Sequence, residues 1–181
     1  NNGNLTNDGA YKYYYDCENR LTDVNDQSNN RVTSYKYDFA GRRVKKVVYG
    51  NPDVTTKYVY DGDQVIAEYD GSNNLLRRYV HGNGIDKVLF MYKASNSTYY
   101  YYYYDGLGSV VALAPSSGAL TEKYSYDVYG EPNRTSSVGN TRMFTGREYE
   151  PETGLYYYRA RYYHSYLGRF LNPDPIGYWD S

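Results

Sequence analysis

The dipeptide Tyr-Asp returns on a beat along this chain. It occurs at Tyr15-Asp16, Tyr37-Asp38, Tyr60-Asp61, Tyr104-Asp105 and Tyr126-Asp127, with spacings of 22, 23, 44 and 22 residues. The doubled gap is filled by Tyr79-Val80-His81-Gly82, which aligns with Tyr58-Val59-Tyr60-Asp61 and puts His81 where a repeat Tyr is expected. A further Tyr69-Asp70 lies off this register, at a half-repeat. Six units therefore span residues 11–130. A fixed period of this length marks a repeat architecture, in which each unit is one small supersecondary piece that leans on its neighbours.

The unit has a chemical logic. In Tyr35–Val47 aromatic and polar residues alternate, the period-two pattern of a strand. Asp38 stops that strand, because its carboxylate accepts hydrogen bonds from backbone N–H groups two or three residues on. Gly41 supplies the positive φ of a tight reversal, and a second strand returns from Arg42. Asp16, Asp61, Gly62, Asp105, Gly106, Asp127 and Gly130 are assigned to turns on the same pattern. About 22 residues hold two strands of five or six residues and two turns. The prediction is an all-β fold: one continuous twisted antiparallel sheet of stacked hairpins with about 12–14 strands. Tyr must fill much of its core, since 29 of 181 residues are Tyr and hydrophobic residues of every kind total 40%. Each ring buries about 150–250 Å² while its hydroxyl finds water or a partner.

Several functions are disfavoured. A net charge of −1 lacks the basic excess that nucleic acid or an anionic membrane surface demands. The longest apolar runs, Val88–Tyr92 and Tyr99–Tyr104, are about five or six residues, against roughly 20 for a spanning helix. One Cys (Cys17, in a turn) and two His leave no disulfide framework and no zinc site. Asp61-Gly62-Asp63 and Asp23-Val24-Asn25-Asp26 read as solvated turns rather than Ca²⁺ loops. Gly106-Leu107-Gly108 lacks the third Gly and the helix of a dinucleotide loop, and Ser109 has no nucleophile-elbow context. No cofactor and no metal is expected. His81 and His164 read as packing residues. The run Tyr99–Tyr104 places three rings on each face of a strand, read as packing, with a platform for sugar or another sheet as the alternative. Asn4, Asn96 and Asn133 match the N-glycosylation pattern at about the frequency chance supplies. The opening Asn1–Thr6 reads as the interior of another unit, so an upstream neighbour is expected to cover the sheet edge. With no initiating Met and no apolar leader, the chain reads as a fragment or processed product.

After about residue 140 the pattern changes. Pro151–Gly154 and Ser165–Gly168 read as hairpin turns, and two Pro around Asp174 forbid a regular central strand there. The expectation is two or three strands and a rigid, irregular tail. The Tyr-Asp units resemble the YD repeats of the Rhs family. Residues 99–177 resemble the Rhs repeat-associated core, through Tyr104-Asp105-Gly106-Leu107-Gly108-Ser109, Tyr126–Gly130, Phe144–Tyr149, Glu152–Tyr163 and Gly168–Gly177. This divides the chain into a repeat region, 1–98, and a core-like region, 99–181, that continues the same sheet. The resemblance implies a β-strip spiralling into a hollow shell. In toxin members the shell encloses a C-terminal toxin, which the core releases by aspartyl autoproteolysis. It also implies roles for Asp174, which matches the first Asp-Pro-x-Gly motif, and for the nearby Arg169. Such a mechanism needs two carboxylates sharing a proton. The second motif lies further along in the family, this chain stops at Ser181, and Tyr178 stands where many toxin members have Leu. Nothing in the spacing supports Asp180 as the second carboxylate.

The reading is thus a structural scaffold rather than an enzyme: the C-terminal part of a bacterial secreted or surface shell. The alternatives are a self-assembling extracellular fibre or adhesion subunit built by strand pairing, and an autoproteolytic core that releases a toxin. The expected partners are upstream repeats or copies of the chain itself, with carbohydrate as a further candidate. The expected location is extracellular or on the bacterial surface.

Overall fold

Alternating aromatic and polar residues make strands here, and acidic corners end them. The computed structural model describes residues 2–174; Pro175, Ile176, Gly177, Tyr178 and Asp180, which enter the sequence reading, lie outside the described residues. Eleven strands form one antiparallel sheet in chain order. They are β1 (Tyr11–Tyr15), β2 (Leu21–Asp26), β3 (Arg31–Tyr37), β4 (Arg43–Val48), β5 (Val54–Asp61), β6 (Gln64–Asp70), β7 (Leu75–His81), β8 (Val88–Lys93), β9 (Thr98–Tyr104), β10 (Val110–Pro115) and β11 (Glu122–Lys123). A second sheet holds β12 (Glu148–Glu150), β13 (Leu155–Tyr158), β14 (Arg161–His164) and β15 (Arg169–Phe170), also in chain order. The all-β meander of hairpins is as expected. The C-terminal part carries one strand more than the two or three predicted, because the short β12 and β15 flank the β13–β14 hairpin.

Six corners share one construction. Asp16 Oδ1 accepts the N–H groups of Glu18 and Arg20, both at 2.9 Å. Asp38 accepts those of Ala40 and Arg42 at 3.0 and 2.9 Å, Asp105 those of Leu107 and Ser109 at 2.9 and 2.8 Å, and Asp127 those of Tyr129 and Glu131 at 2.9 and 2.8 Å. Asp26 and Asp70, off the 22-residue beat, build the same corner at the opposite ends of the hairpins. The side chains of Asn30 and Asn74, with their backbone N–H groups, hold the Asp26 and Asp70 carboxyls below the usual range. The carboxylate thus bonds two and four residues on, rather than two or three. The residue three on is left-handed each time: Asn19, Asn29, Gly41, Asn73, Gly108 and Gly130, with φ from 60° to 92°.

This corrects one expectation. The position in the Asp105 corner that needs glycine is Gly108, φ +81°, while Gly106 has no left-handed φ. Gly108→Val is expected to cost about 1–2 kcal/mol through backbone strain alone, since nothing crowds the added Cβ. Gly106→Val is expected to stay within about 0.5 kcal/mol. Thermal melting of the two variants checks this, and equal shifts would reject the corner geometry. Asp61 belongs to a different corner. It pairs with Gln64 across a two-residue loop whose Gly62 has φ 55°.

The beat itself has a cause in hydrogen bonding. The Tyr that precedes Asp38, Asp105 and Asp127 sends its hydroxyl back sixteen residues, to the carbonyl that opens an earlier strand, whereas Tyr15, before Asp16, reaches Leu5 O at 2.7 Å only ten residues back. Tyr37 reaches Leu21 O at 2.6 Å, Tyr104 reaches Val88 O at 2.7 Å and Tyr126 reaches Val110 O at 2.5 Å. His81 meets Val65 O through Nε2 at 2.9 Å, so the imidazole fills the place of the phenol. Leu21, Val65, Val88 and Val110 are all buried. A buried carbonyl left without a donor costs about 1–3 kcal/mol, which makes the tie part of each unit's stability.

The chain divides into two compact units, residues 2–55 with 150–174, and residues 56–149. In the first, Tyr13, Leu21, Val24 and Tyr35 pack with Leu155, Tyr157, Tyr162 and Leu171. In the second, the irregular segment 124–147 lies on the buried face of the hairpins. There Tyr102 donates to Asn140 Oδ1 at 2.9 Å, and Val110 N–H donates to Met143 O at 3.1 Å. Each unit thus consists of hairpins plus a stretch of C-terminal chain laid over them.

Candidate functional site

For a scaffold the functional question is what fastens the C-terminal chain onto the hairpins. In the first unit the fastening is ionic. Glu150, at the end of β12, is buried and takes the Arg43 guanidinium on one oxygen and the Tyr35 hydroxyl on the other. Arg43 Nη1 also donates to Tyr162 Oη at 3.1 Å, and the guanidinium stacks 4.1 Å over the Tyr157 ring. Lys46 Nζ lies 3.8 Å from Glu150 and 2.7 Å from Glu152. Burial works to lower the Lys46 ammonium, but the Glu150 and Glu152 charges outweigh it and hold it above the usual lysine value. Burial pushes the Tyr35 and Tyr162 phenols far up, so both stay neutral at any ordinary pH.

The second unit repeats the theme. Glu68 on β6 takes the Arg77 guanidinium and the Tyr79 hydroxyl, the latter at 2.7 Å. Burial raises the Glu68 carboxyl, and the Arg77 charge more than reverses this, leaving it below the usual range. Arg142 pairs with Glu148 at 3.0 Å and lies 5.7 Å over the Tyr79 ring, which seats the irregular segment on β7. Glu122 gathers residues 136–138: Ser136 Oγ at 2.6 Å, Ser137 N and Oγ at 2.6 and 2.7 Å, and Val138 N at 3.2 Å. The stretches Asp105–Ser109 and Phe144–Glu148 also meet. Thr145 N–H donates to Ser109 Oγ at 3.1 Å, Arg147 pairs with Asp86 at 2.9 Å, and a Cβ on Gly146 would sit 3.0 Å from Asp86 O. Ser109 is therefore a structural hydroxyl with no exposure.

These anchors, Arg43, Glu68, Arg77, Glu122, Arg142, Glu148 and Glu150, were not among the residues singled out from sequence. One signal was available: Arg43 stands opposite Tyr37 across the β3–β4 ladder, so it shares the face of an inward phenol. The residues singled out for chemistry lie elsewhere. Asp174 pairs with Arg161 Nη2 at 2.9 Å, and that guanidinium sits 3.8 Å over the Phe170 ring. Arg169 is exposed on β15 and its Nε donates to Phe170 O at 3.3 Å. Asn4 Nδ2 donates to Asn19 Oδ1 at 3.2 Å. Asn96 is exposed at the β8–β9 corner and donates to Tyr100 Oη at 2.9 Å, and the exposed Asn133 accepts the Ser125 N–H at 3.0 Å. His164 Nε2 lies 3.0 Å from Asp8 Oδ2. Along β9, Tyr100 and Tyr102 are buried, whereas Tyr99, Tyr101 and Tyr103 face solvent.

Known proteins resemble this chain in sequence and in fold. The sequence profile of the family described as Teneurin YD-shell matches residues 1–181. The tRNA nuclease WapA of Bacillus subtilis (strain 168) is 38% identical over 181 residues, which cover 96% of this chain and 8% of that protein. The probable deoxyribonuclease RhsB of Dickeya dadantii is 29% identical over 175 residues, covering 93% of this chain and 12% of the other. The crystal structure of TcdB2–TccC3 superposes with a TM-score of 0.72 at 22% identity, over 96% of this chain and 10% of that one. The Photorhabdus luminescens Tc holotoxin pore gives the same TM-score at 21% identity. The chain thus spans about a tenth of the length of these relatives.

Proposed function

Since the chain belongs to the Teneurin YD-shell family, we propose that it works as a wall segment near the C-terminal end of a longer shell, with residues 99–181 acting as its core-like region. The chain is a YD-repeat structural scaffold region. The proposal adds where in the shell it stands and what the shell is for. The observation that supports it most is the fastening of C-terminal chain onto the hairpins, through the buried Glu150–Arg43–Tyr35 cluster in one unit and through Arg142 over Tyr79, beside the Glu68–Arg77 pair, in the other. Such clusters bring little net stability compared with an apolar core. They do fix one geometry, which suits a wall more than a catalyst.

In this reading the neighbours along the sheet are further repeats of a parent chain, and the enclosed space holds a toxin-like effector, as the nuclease names of the relatives suggest. The location is extracellular or on the cell surface. Electron microscopy of the full parent protein tests it. The expected particle is hollow, with this segment in its wall. Filaments would transfer the proposal to the fibre reading, and a solid particle of the same mass would remove the container role.

A further inference from the structure

We propose that Tyr92 and Tyr99 form a site of oxidative phenol coupling, which joins β8 to β9 by a covalent dityrosine bond. The two residues stand directly opposite each other in the β8–β9 ladder. Their ring centroids are 5.0 Å apart and the planes are tilted by 47°, so the edges of the rings are in contact. Tyr99 is 48% exposed and Tyr92 is half-buried, and both face solvent rather than the core.

The other close tyrosine pairs differ from this one. Tyr35–Tyr162 and Tyr157–Tyr162 are enclosed in the core, where an oxidant does not reach. Tyr102–Tyr104 has a buried member, and both of its hydroxyls are committed, to Asn140 and to Val88 O. Tyr158–Tyr163 lies at a longer 5.7 Å. Among the described residues, Tyr92–Tyr99 is the pair that combines ring contact, exposure and hydroxyls without a protein partner.

The chemistry balances with a peroxide oxidant and a haem peroxidase as the electron carrier. Each phenol loses one hydrogen atom and becomes a phenoxyl radical, with spin density on the ring carbons beside the oxygen. The two radicals form a carbon–carbon bond at those positions. The rings regain aromaticity by moving the displaced ring hydrogens to the oxygens, and one hydrogen peroxide is reduced to two waters.

The bond has a structural use. Residues 99–104 are all Tyr, so a slip of two residues against β8 would leave the same side chain on the same face. Period-two patterning cannot exclude that slip, whereas a covalent link between Tyr92 and Tyr99 does.

The test is to treat the full chain, at low concentration, with a haem peroxidase and hydrogen peroxide, and then to digest it with trypsin. The expected product is a monomer in which peptide Val88–Lys93 is joined to peptide Ala94–Lys123 with the loss of two hydrogen atoms. Tyr92→Phe and Tyr99→Phe should each abolish the joined peptide, while Tyr101→Phe and Tyr103→Phe should retain it. All four changes remove only a hydroxyl on the solvent-facing side of the sheet and keep the ring, so folding is preserved. Persistence of the joined peptide in Tyr99→Phe overturns the assignment. Coupling found only between molecules overturns it too, as does no coupling under conditions that couple free tyrosine.

Discussion

Raising the pH above 10 is expected to unfold the protein in one sharp step. Unfolded phenols titrate near 10. Burial, before any other cause, holds Tyr35, Tyr79, Tyr102 and Tyr162 well above that value, and pushes Tyr104 and Tyr124 up to about 12. Between 10 and the folded values the unfolded chain binds fewer protons than the native one, so stability falls as pH rises. Below 10 both states are protonated and the contribution is complete. Each such phenol removes about 1.4 kcal/mol per pH unit. The four enclosed ones alone consume a typical domain stability of about 5–15 kcal/mol within about one to three pH units. Phenolate absorbance and far-ultraviolet circular dichroism should therefore change together. A smooth phenolate titration around 10 with the strand signal intact would show that these hydroxyls are not enclosed.

Arg43→Met is expected to destabilise the unit that contains it by about 3–5 kcal/mol, because Glu150 stays buried after its guanidinium is gone. Lys46, 3.8 Å away, supplies part of the missing charge and places the loss toward the lower end of that range. The same change strips the Tyr157 ring of its stacked cation and the Tyr162 oxygen of a donor. Replacing Glu150 by Leu as well should return part of the loss, since an apolar pair of similar volume avoids the desolvation that the ion pair bears. Urea denaturation of the single and double variants measures both steps. A single-variant loss below about 1 kcal/mol would mean that Glu150 reaches water.

The strands and corners were legible because they are local. A two-residue alternation and an Asp with a small residue three places on lie within a dozen positions of one another. The Asn19, Asn29 and Asn73 corners were harder to see, since Asn enters the left-handed region at low cost and does not announce itself as Gly does. Gly106 drew attention because it directly follows Asp105. Only the spacing shared by Asp38–Gly41 and Asp127–Gly130 points past it to Gly108. The anchors were not legible, for a different reason. Glu150 and Arg43 are separated by 107 positions, and Glu122 meets residues 14 to 16 positions further along. Periodicity in one chain carries no information about which distant charge will answer a buried one. The C-terminal motif residues occupied a middle case. Gly146 and Ser109 were recognisable as part of a pattern, but their reason, a close approach to Asp86 O and a bond to the Thr145 N–H, is purely spatial.

The backward reach of sixteen residues, shared by Tyr37, Tyr104 and Tyr126, has a consequence for how such a chain changes length. A duplicated block of 22 residues brings its own donor and offers its own acceptor, so it enters the series in phase and the blocks on either side notice nothing. A residue gained or lost inside the sixteen-residue span moves the hydroxyl away from its carbonyl. Growth by whole copies is therefore nearly free for this architecture, and drift in length is penalised at once. Lineages that need a longer sheet have an easy route to one.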